Sequence, residues 1–233
     1  MSARAVLRRV VVGVLETNCW VLHAAGDRRA LIVDPGDEPE RILAAAADLD
    51  VLAVLLTHAH FDHVLAVPQV ARTLDVPVLA HPADAPVWPH ELAAARQAGH
   101  WNAGTATDDL LAREPEALAF PPGGPLWDGV TDPAAGGQVL QIGPLAVRVL
   151  HTPGHTPGGL TLSVDGHLLT GDTLFPGGPG LTGPPLSDFP AIIESVRGLL
   201  RFPGLTRIHP GHGRSTTVEA ERPHLGAWIA RGR

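Results

Sequence analysis

The apolar run "VLAVLL" (51–56), followed at once by "THAHFDHV" (57–64), constrains this chain more than any other feature. Six apolar residues in a row are expected of a strand covered on both faces, so further layers must pack on each side of it. His58, His60, Asp62 and His63 then crowd into the loop just past the strand. Open α/β sheets place their ligand sites at such carboxyl ends. Imidazole and carboxylate are donors that zinc, iron and manganese accept. Four such groups exceed what one ion usually takes from one short segment, which suggests two adjacent ions. On this stretch alone, a polar loop that is merely rich in histidine is the other reading.

The flanking sequence supplies the layers. Residues 6–15, 19–24 and 30–34 are β-rich and separated by turn residues, an antiparallel meander. Pro39 is placed to start a helix over 40–49. A helix near 64–74 and a strand over 76–80 complete a βαβ unit around the histidine loop. Further on, 145–150, 160–164 and 167–170 read as strands, 191–200 as a helix, 206–209 as a short strand and 219–229 as a terminal helix. Two strand-rich halves with helices outside predict a mixed α/β (α+β) fold, a four-layer αββα sandwich. Residues 1–233 suit a single domain interrupted by an insertion at about 82–136. That insertion is helical in pattern but broken by Gly99 and Gly104, then reads as a loop over 121–129. It holds Trp88, Trp101 and Trp127. It is either a surface helical hairpin stapled down by these tryptophans, or a lid or pocket wall.

Composition excludes several classes. The formal charge is −7 and no basic block occurs, which disfavours nucleic acid and anionic membranes as partners. A small-molecule substrate is expected instead. The lone Cys19 permits no intrachain disulfide and reads as a small core residue. The N-terminus lacks a signal-peptide pattern and no run approaches a membrane span, so a soluble cytoplasmic protein is expected. The sequence carries no signal for an oligomeric state.

Three more stretches repeat the pattern of a polar group just after a strand. "HTPGHTPGG" (151–159) carries His155, "LLTGDTLF" (168–175) carries Asp172, and "HPGHGRST" (209–216) carries His212. Neighbouring glycines let the backbone turn tightly enough to aim each group. Of the other histidines, His23, His90, His100, His167 and His224 lack motif context, and His81 ends a strand. His151 and His209 are expected to hydrogen-bond near the cluster. Asp34, in "IVDPG", is expected to be a structural support.

Taken in order, the four stretches resemble the metallo-β-lactamase-fold hydrolase superfamily, most closely its glyoxalase II-like branch. The resemblance spans about residues 6–212 apart from the insertion. It implies that His58, His60 and His155 hold one metal ion, that Asp62, His63 and His212 hold a second, and that Asp172 bridges them. It implies two divalent ions, zinc first, with iron or manganese as alternatives. It further implies that a bridging hydroxide attacks a carbonyl, with Asp62 and Asp172 as the catalytic carboxylates. The expected substrate is a thioester, or a related ester or lactone. Asp172 as the bridging carboxylate points away from β-lactamases. Only 21 residues follow His212, so the C-terminal glutathione-binding domain of glyoxalase II is expected to be missing. Leu181 stands where relatives acting on glutathione conjugates carry an arginine, and the chain has no tyrosine. Both departures point away from glutathione substrates. The insertion with its tryptophans is expected to set specificity. The alternatives are a mononuclear iron oxygenase resembling persulfide dioxygenases and, behind it, a phosphodiesterase or nuclease.

Overall fold

The computed structural model describes residues 3–120, 125–183 and 185–232. The chain opens with β1 (Ala5–Val12), β2 (Thr17–Ala24) and β3 (Arg29–Val33), an antiparallel meander. β1 ends at Val12 instead of reaching 15 because Gly13 turns the chain at a φ of 70°. Next come α1 (Pro39–Ala45), with Pro39 in its first turn, and β4 (Asp50–Leu55), parallel to β3. The single helix expected over 64–74 is two, α2 (Phe61–Val64) and α3 (Val67–Leu74). Pro68 lies in the first turn of α3, where its missing N–H costs nothing but prevents continuation from α2. β5 (Val78–Ala80) pairs parallel with β4.

The insertion forms a 3₁₀ turn (Pro82–Asp84), α4 (Val87–Ala98) and α5 (Thr107–Arg113). Gly99, in the left-handed conformation, closes α4 as its sequence position suggests. Of the loop expected over 121–129, residues 121–124 lie outside the described residues. The insertion also contributes a short strand that the sequence did not announce, β6 (Asp132–Pro133), which joins the edge beside β5. The first sheet therefore runs β1-β2-β3-β4-β5-β6.

The second sheet begins with β7 (Val139–Ile142), β8 (Leu145–His151), β9 (Leu160–Val164) and β10 (His167–Gly171), all antiparallel. A small ribbon follows, β11 (Leu174–Phe175) with β12 (Gly178–Pro179). Then α6 (Phe189–Leu199), capped by Asp188, crosses over to β13 (Arg207–Pro210), parallel to β10. β14 (Thr216–Thr217) completes the order β14-β13-β10-β9-β8-β7. The expected terminal helix over 219–229 breaks into α7 (Val218–Glu221) and α8 (Leu225–Arg231), with Pro223 in the 3₁₀ turn between them. Among the described residues, no helix is long and apolar enough to cross a membrane.

Strand alternation sorts the core into layers. On β3, Leu31 and Val33 face the second sheet, meeting Val147, Val149, Leu160 and Leu162. Ala30 and Ile32 face outward onto Ile42 of α1 and Val67 and Val70 of α3. Outside the second sheet, Ile192, Val196 and Leu199 of α6 cover Leu168 and Ile208, with Trp228 of α8 alongside. The result is the expected helix–sheet–sheet–helix sandwich. Cys19 is buried in it, and burial, reinforced by the nearby Asp34, holds its thiol well above the ordinary value.

Candidate metal centre

The seven residues singled out in the sequence converge at one end of the sandwich. His58 and His60 lie in the loop after β4, and Asp62 and His63 on α2. His155 follows β8, Asp172 follows β10 and His212 follows β13. Each position is the carboxyl end of a strand, and both sheets contribute. The sheets are tied together there by backbone hydrogen bonds from Leu160 N to Thr57 O (2.8 Å) and from Asn18 N to Gly211 O (2.6 Å). Asn18 also donates its side-chain amide to Pro210 O (2.9 Å) and Gly213 O (3.0 Å), fixing the turn that carries His212.

Two triads of possible donor atoms result: His58 with His60 and His155, and Asp62 with His63 and His212. Within each triad the donor atoms lie within 4.8 Å of one another. Asp172 sits between them, with Oδ2 3.6 Å from both His155 Nε2 and His212 Nε2, and Oδ1 3.6 Å from His63 Nε2. Asp62 Oδ2 lies 3.2 Å from His212 Nε2 and 3.4 Å from His63 Nε2, and accepts a hydrogen bond from Thr17 Oγ1 (2.9 Å).

Acceptors behind the rings decide which nitrogen each presents. His63 Nδ1 donates to Asp34 Oδ2 (3.0 Å), His155 Nδ1 to Leu181 O (2.7 Å) and His212 Nδ1 to Leu15 O (2.8 Å). Thr57 Oγ1 gives its proton to Asp34 Oδ2 (2.6 Å), so it accepts from His58 Nδ1 (3.1 Å). Nδ1 of four imidazoles is thereby engaged as a donor, which turns Nε2 of each toward the centre, as metal-binding histidines require. His60 differs, placing Nδ1 3.0 Å from His155 Nε2. Two buried atoms of the cluster, His58 Nε2 and Asp172 Oδ1, have no hydrogen-bond partner. A buried imidazole nitrogen and a buried carboxylate oxygen, both orphaned and in one cluster, fit a cation and are otherwise costly.

Charge balance tells the same story. Burial would lower His63, but Asp62, Asp172 and Asp34 outweigh it and push the ring up to about 10. Burial likewise opposes charge on His212, yet Asp172 and Asp62 push it up to about 9. Burial would raise Asp62, but His63, His212 and His60 hold it far below the carboxylate range. Burial, with neighbouring rings, keeps His58 well below its ordinary value and pushes His60 down to about 3. The carboxylates that raise these two rings favour positive charge at this spot, which is what a bound cation would supply.

Asp34 also lies within reach of His58 and His63, but its oxygens are already committed. Oδ1 accepts from Thr57 N (2.7 Å), and Oδ2 from Thr57 Oγ1 and His63 Nδ1. It is a support, as its turn suggested, and the turn itself is tight: Asp34 has a φ of 52°. His151 and His209 do not reach the cluster. His151 donates from Nε2 to Pro157 O (2.9 Å) and stacks on His81; alternation puts it on the face of Val147 and Val149, but it is the last residue of β8 and lies exposed beyond their core. His209 bonds instead to His167 and Ser215.

The cluster forms the floor of a cavity of about 690 Å³. A second hollow, about 550 Å³ between α3 and residues 126–132, touches none of the seven. Around the floor stand Leu15, Phe175, Leu181 and Leu186, and the insertion adds Val87, His90, Glu91 and residues 102–105. The tryptophans of the insertion are not part of this wall, which leaves the staple of the two readings and not a tryptophan-lined specificity pocket. Trp88, Trp101 and Trp127 are all buried; Trp101 stacks on Phe61 and Trp88, and Trp127 packs tilted against Trp88. Their large apolar area favours the core over the cavity. Two carboxylates of the insertion were missed in the sequence. Glu91 accepts from Phe61 N (2.7 Å), and burial, helped by Asp62 and opposed by that hydrogen bond, pushes it up to about 8. Asp84 is buried beside the loops of both sheets, and burial raises it against the pull of three donors.

The family model of the metallo-β-lactamase superfamily matches residues 12–212. The chain belongs to that superfamily. Among its members, the probable metallo-hydrolase YqgX of Bacillus subtilis is 32% identical, over 92% of this chain and 93% of its own. The hydroxyacylglutathione hydrolase GloC of Haemophilus influenzae is 30% identical, over 91% of this chain and 93% of its own. A solved structure, TTHA1623 in a di-iron-bound form, superposes with a TM-score of 0.73 and is 36% identical, covering 92% of this chain and 96% of that one.

Proposed function

We propose that this metallo-β-lactamase superfamily member is a two-metal hydrolase of a thioester, or of a related ester or lactone. The observation that carries the reading is the set of four Nε2 atoms, aimed by the hydrogen bonds of their Nδ1 partners, which with His60 and two carboxylates converge under an open cavity. His58, His60 and His155 would hold one ion, Asp62, His63 and His212 the other, and Asp172 would reach both. When bound, such ions supply a deprotonated water as nucleophile and positive charge for the developing oxyanion. The chain's own part is to hold that geometry in the cavity floor and to orient the substrate above it. Thr17 fixes Asp62 Oδ2, and Leu181 lends its carbonyl to His155 while its side chain lines the cavity.

The likeness to GloC supports a thioester. The cavity supports a carrier other than glutathione, because no arginine stands among its described lining residues and Leu181 stays apolar. The insertion, on this reading, is a wall of the substrate site.

The test is metal content of the purified protein by elemental analysis, with turnover measured on the same sample. The substrates would be S-lactoylglutathione, a thioester of a smaller thiol, a lactone and a β-lactam, with oxygen uptake followed on a persulfide. About two divalent ions per chain and hydrolysis of the smaller thioester or the lactone are expected. Asp172→Ala should lose metal and turnover together. One iron per chain with oxygen uptake overturns the hydrolase in favour of an oxygenase.

A further inference from the structure

The first triad draws His58 and His60 from one sheet and His155 from the other, so something must hold two independent loops at the spacing of one ion. We propose that Asp84 is the positioning residue that locks these two loops together; this rests on the metal-centre reading above. Its carboxylate accepts from both at once. Oδ2 takes the backbone N–H of Ala59, the residue between His58 and His60, at 3.0 Å. The same oxygen takes the hydroxyl of Thr156, next to His155, at 3.0 Å. Oδ1 takes the N–H of Gly158 at 2.5 Å. All three bonds are buried.

The carboxylate is itself held. Asp84 ends the 3₁₀ turn after β5, where Asp84 N donates to His81 O (3.0 Å) and Ala83 N to His81 Nδ1 (3.2 Å). The His155 loop fits it closely: a β-carbon at Gly158 would sit 2.6 Å from Asp84 N. Asp84 is not grouped with any of the metal-donor sets, and both its oxygens are engaged by donors. Its role is therefore exerted through the histidines, not on an ion.

The pattern extends along the loop. Ala59 gives its N–H to Asp84 and Phe61 gives its N–H to Glu91, both carboxylates of the insertion. The residues between them and beyond, His58, His60 and Asp62, are left to face the cluster. The insertion thus grips alternate residues of the loop from behind.

Asp84→Asn keeps the size of the side chain but turns one acceptor into a donor. Either Gly158 N–H, or the Ala59 N–H and Thr156 hydroxyl, then faces an NH₂ group across a buried contact. The experiment is titration of the metal-free full chain with Co²⁺, followed by the visible absorption of each site and by chelator competition, with melting temperature and kcat and KM beside it. In Asp84→Asn, one of two Co²⁺ ions is expected to bind roughly 10- to 100-fold more weakly with an altered spectrum, the other nearly as in wild type. kcat should fall more than KM rises. Equal weakening of both ions, or wild-type binding of both, overturns the proposal. Thr156→Val, which deletes one of the three bonds and keeps the carboxylate, covers the case in which Asp84→Asn does not fold. It should perturb the same single site by a smaller factor, and unchanged binding in that variant overturns the proposal too. The Co²⁺ readout needs no substrate, so failure of the thioester assignment shows separately, as a wild-type protein with both ions bound and no turnover on any substrate tried.

Discussion

Gly211 shows how little slack individual residues of the centre have. A β-carbon built there overlaps Asp172 Oδ1 and presses on His63 Cε1. Neither neighbour is a free-swinging surface group: Asp172 lies among three histidines, and His63 is pinned to Asp34. Gly211→Ala is therefore expected to displace the carboxylate between the two triads while leaving strand pairing of β10 and β13 in place. Metal content should fall by half or more with near-normal circular dichroism, and a variant retaining full metal and activity would refute the crowding argument. The seven converging residues were legible because the sequence spends rare, chemically distinctive side chains at strand ends. The tautomers were not legible. They depend on Leu15 O, Leu181 O and Thr57 Oγ1, acceptors that any residue type or a common threonine supplies.

Among elements, the insertion is where sequence reading lost most. Gly99 and Gly104 mark its breaks, but nothing in the sequence distinguishes Asp84 or Glu91 from other acids. Only tertiary packing turns them inward beneath the histidine loop. Its tryptophans were read as a staple or a wall, and the structure makes them a stack: Trp101 lies 5.1 Å from Phe61 at 7° and 5.6 Å from Trp88 at 19°. Phe61 separates His60 from Asp62, so the stack anchors the loop by its one large apolar residue. Trp101→Ala, at a site 1% exposed, should cost about 3–5 kcal/mol. It should also weaken metal retention, which is read by elemental analysis after dialysis against a chelator. A stability loss with undiminished metal would mean that the stack serves the core alone. The terminal helix divides for a simpler reason: helical periodicity continues past Pro223, whose ring the 3₁₀ turn accommodates.

For the whole molecule, the two sheets meet along a buried interface that also contains a titratable pair. His209 on β13 is 6% exposed and meets Trp20 of the first sheet edge-on, with ring centroids 4.9 Å apart. His209 Nε2 and His167 Nδ1 of β10 lie 2.9 Å apart, and His209 Nδ1 is 2.8 Å from Ser215 Oγ. Burial, reinforced by His167 and Arg207, pushes His209 down to about 4 from an ordinary 6.5. Between those values the unfolded chain binds a proton that the folded chain refuses. Stability from this site is thus fully present above 6.5 and is lost as the pH falls toward 4, by at most about 3 kcal/mol. Burial also lowers His167, which acts in the same direction. The buried His58 and His60 are depressed as well, so the slope of melting temperature against pH is a sum over several rings. The diagnostic is the difference between wild type and His209→Asn, both freed of metal so that ion loss adds nothing to the slope. Wild type should lose melting temperature more steeply than the variant between pH 6.5 and 4, and the two curves should run parallel above 7. Parallel curves throughout would mean that acid reaches this interface without protonating His209, and the sandwich would then owe its acid sensitivity to the histidines of the metal centre.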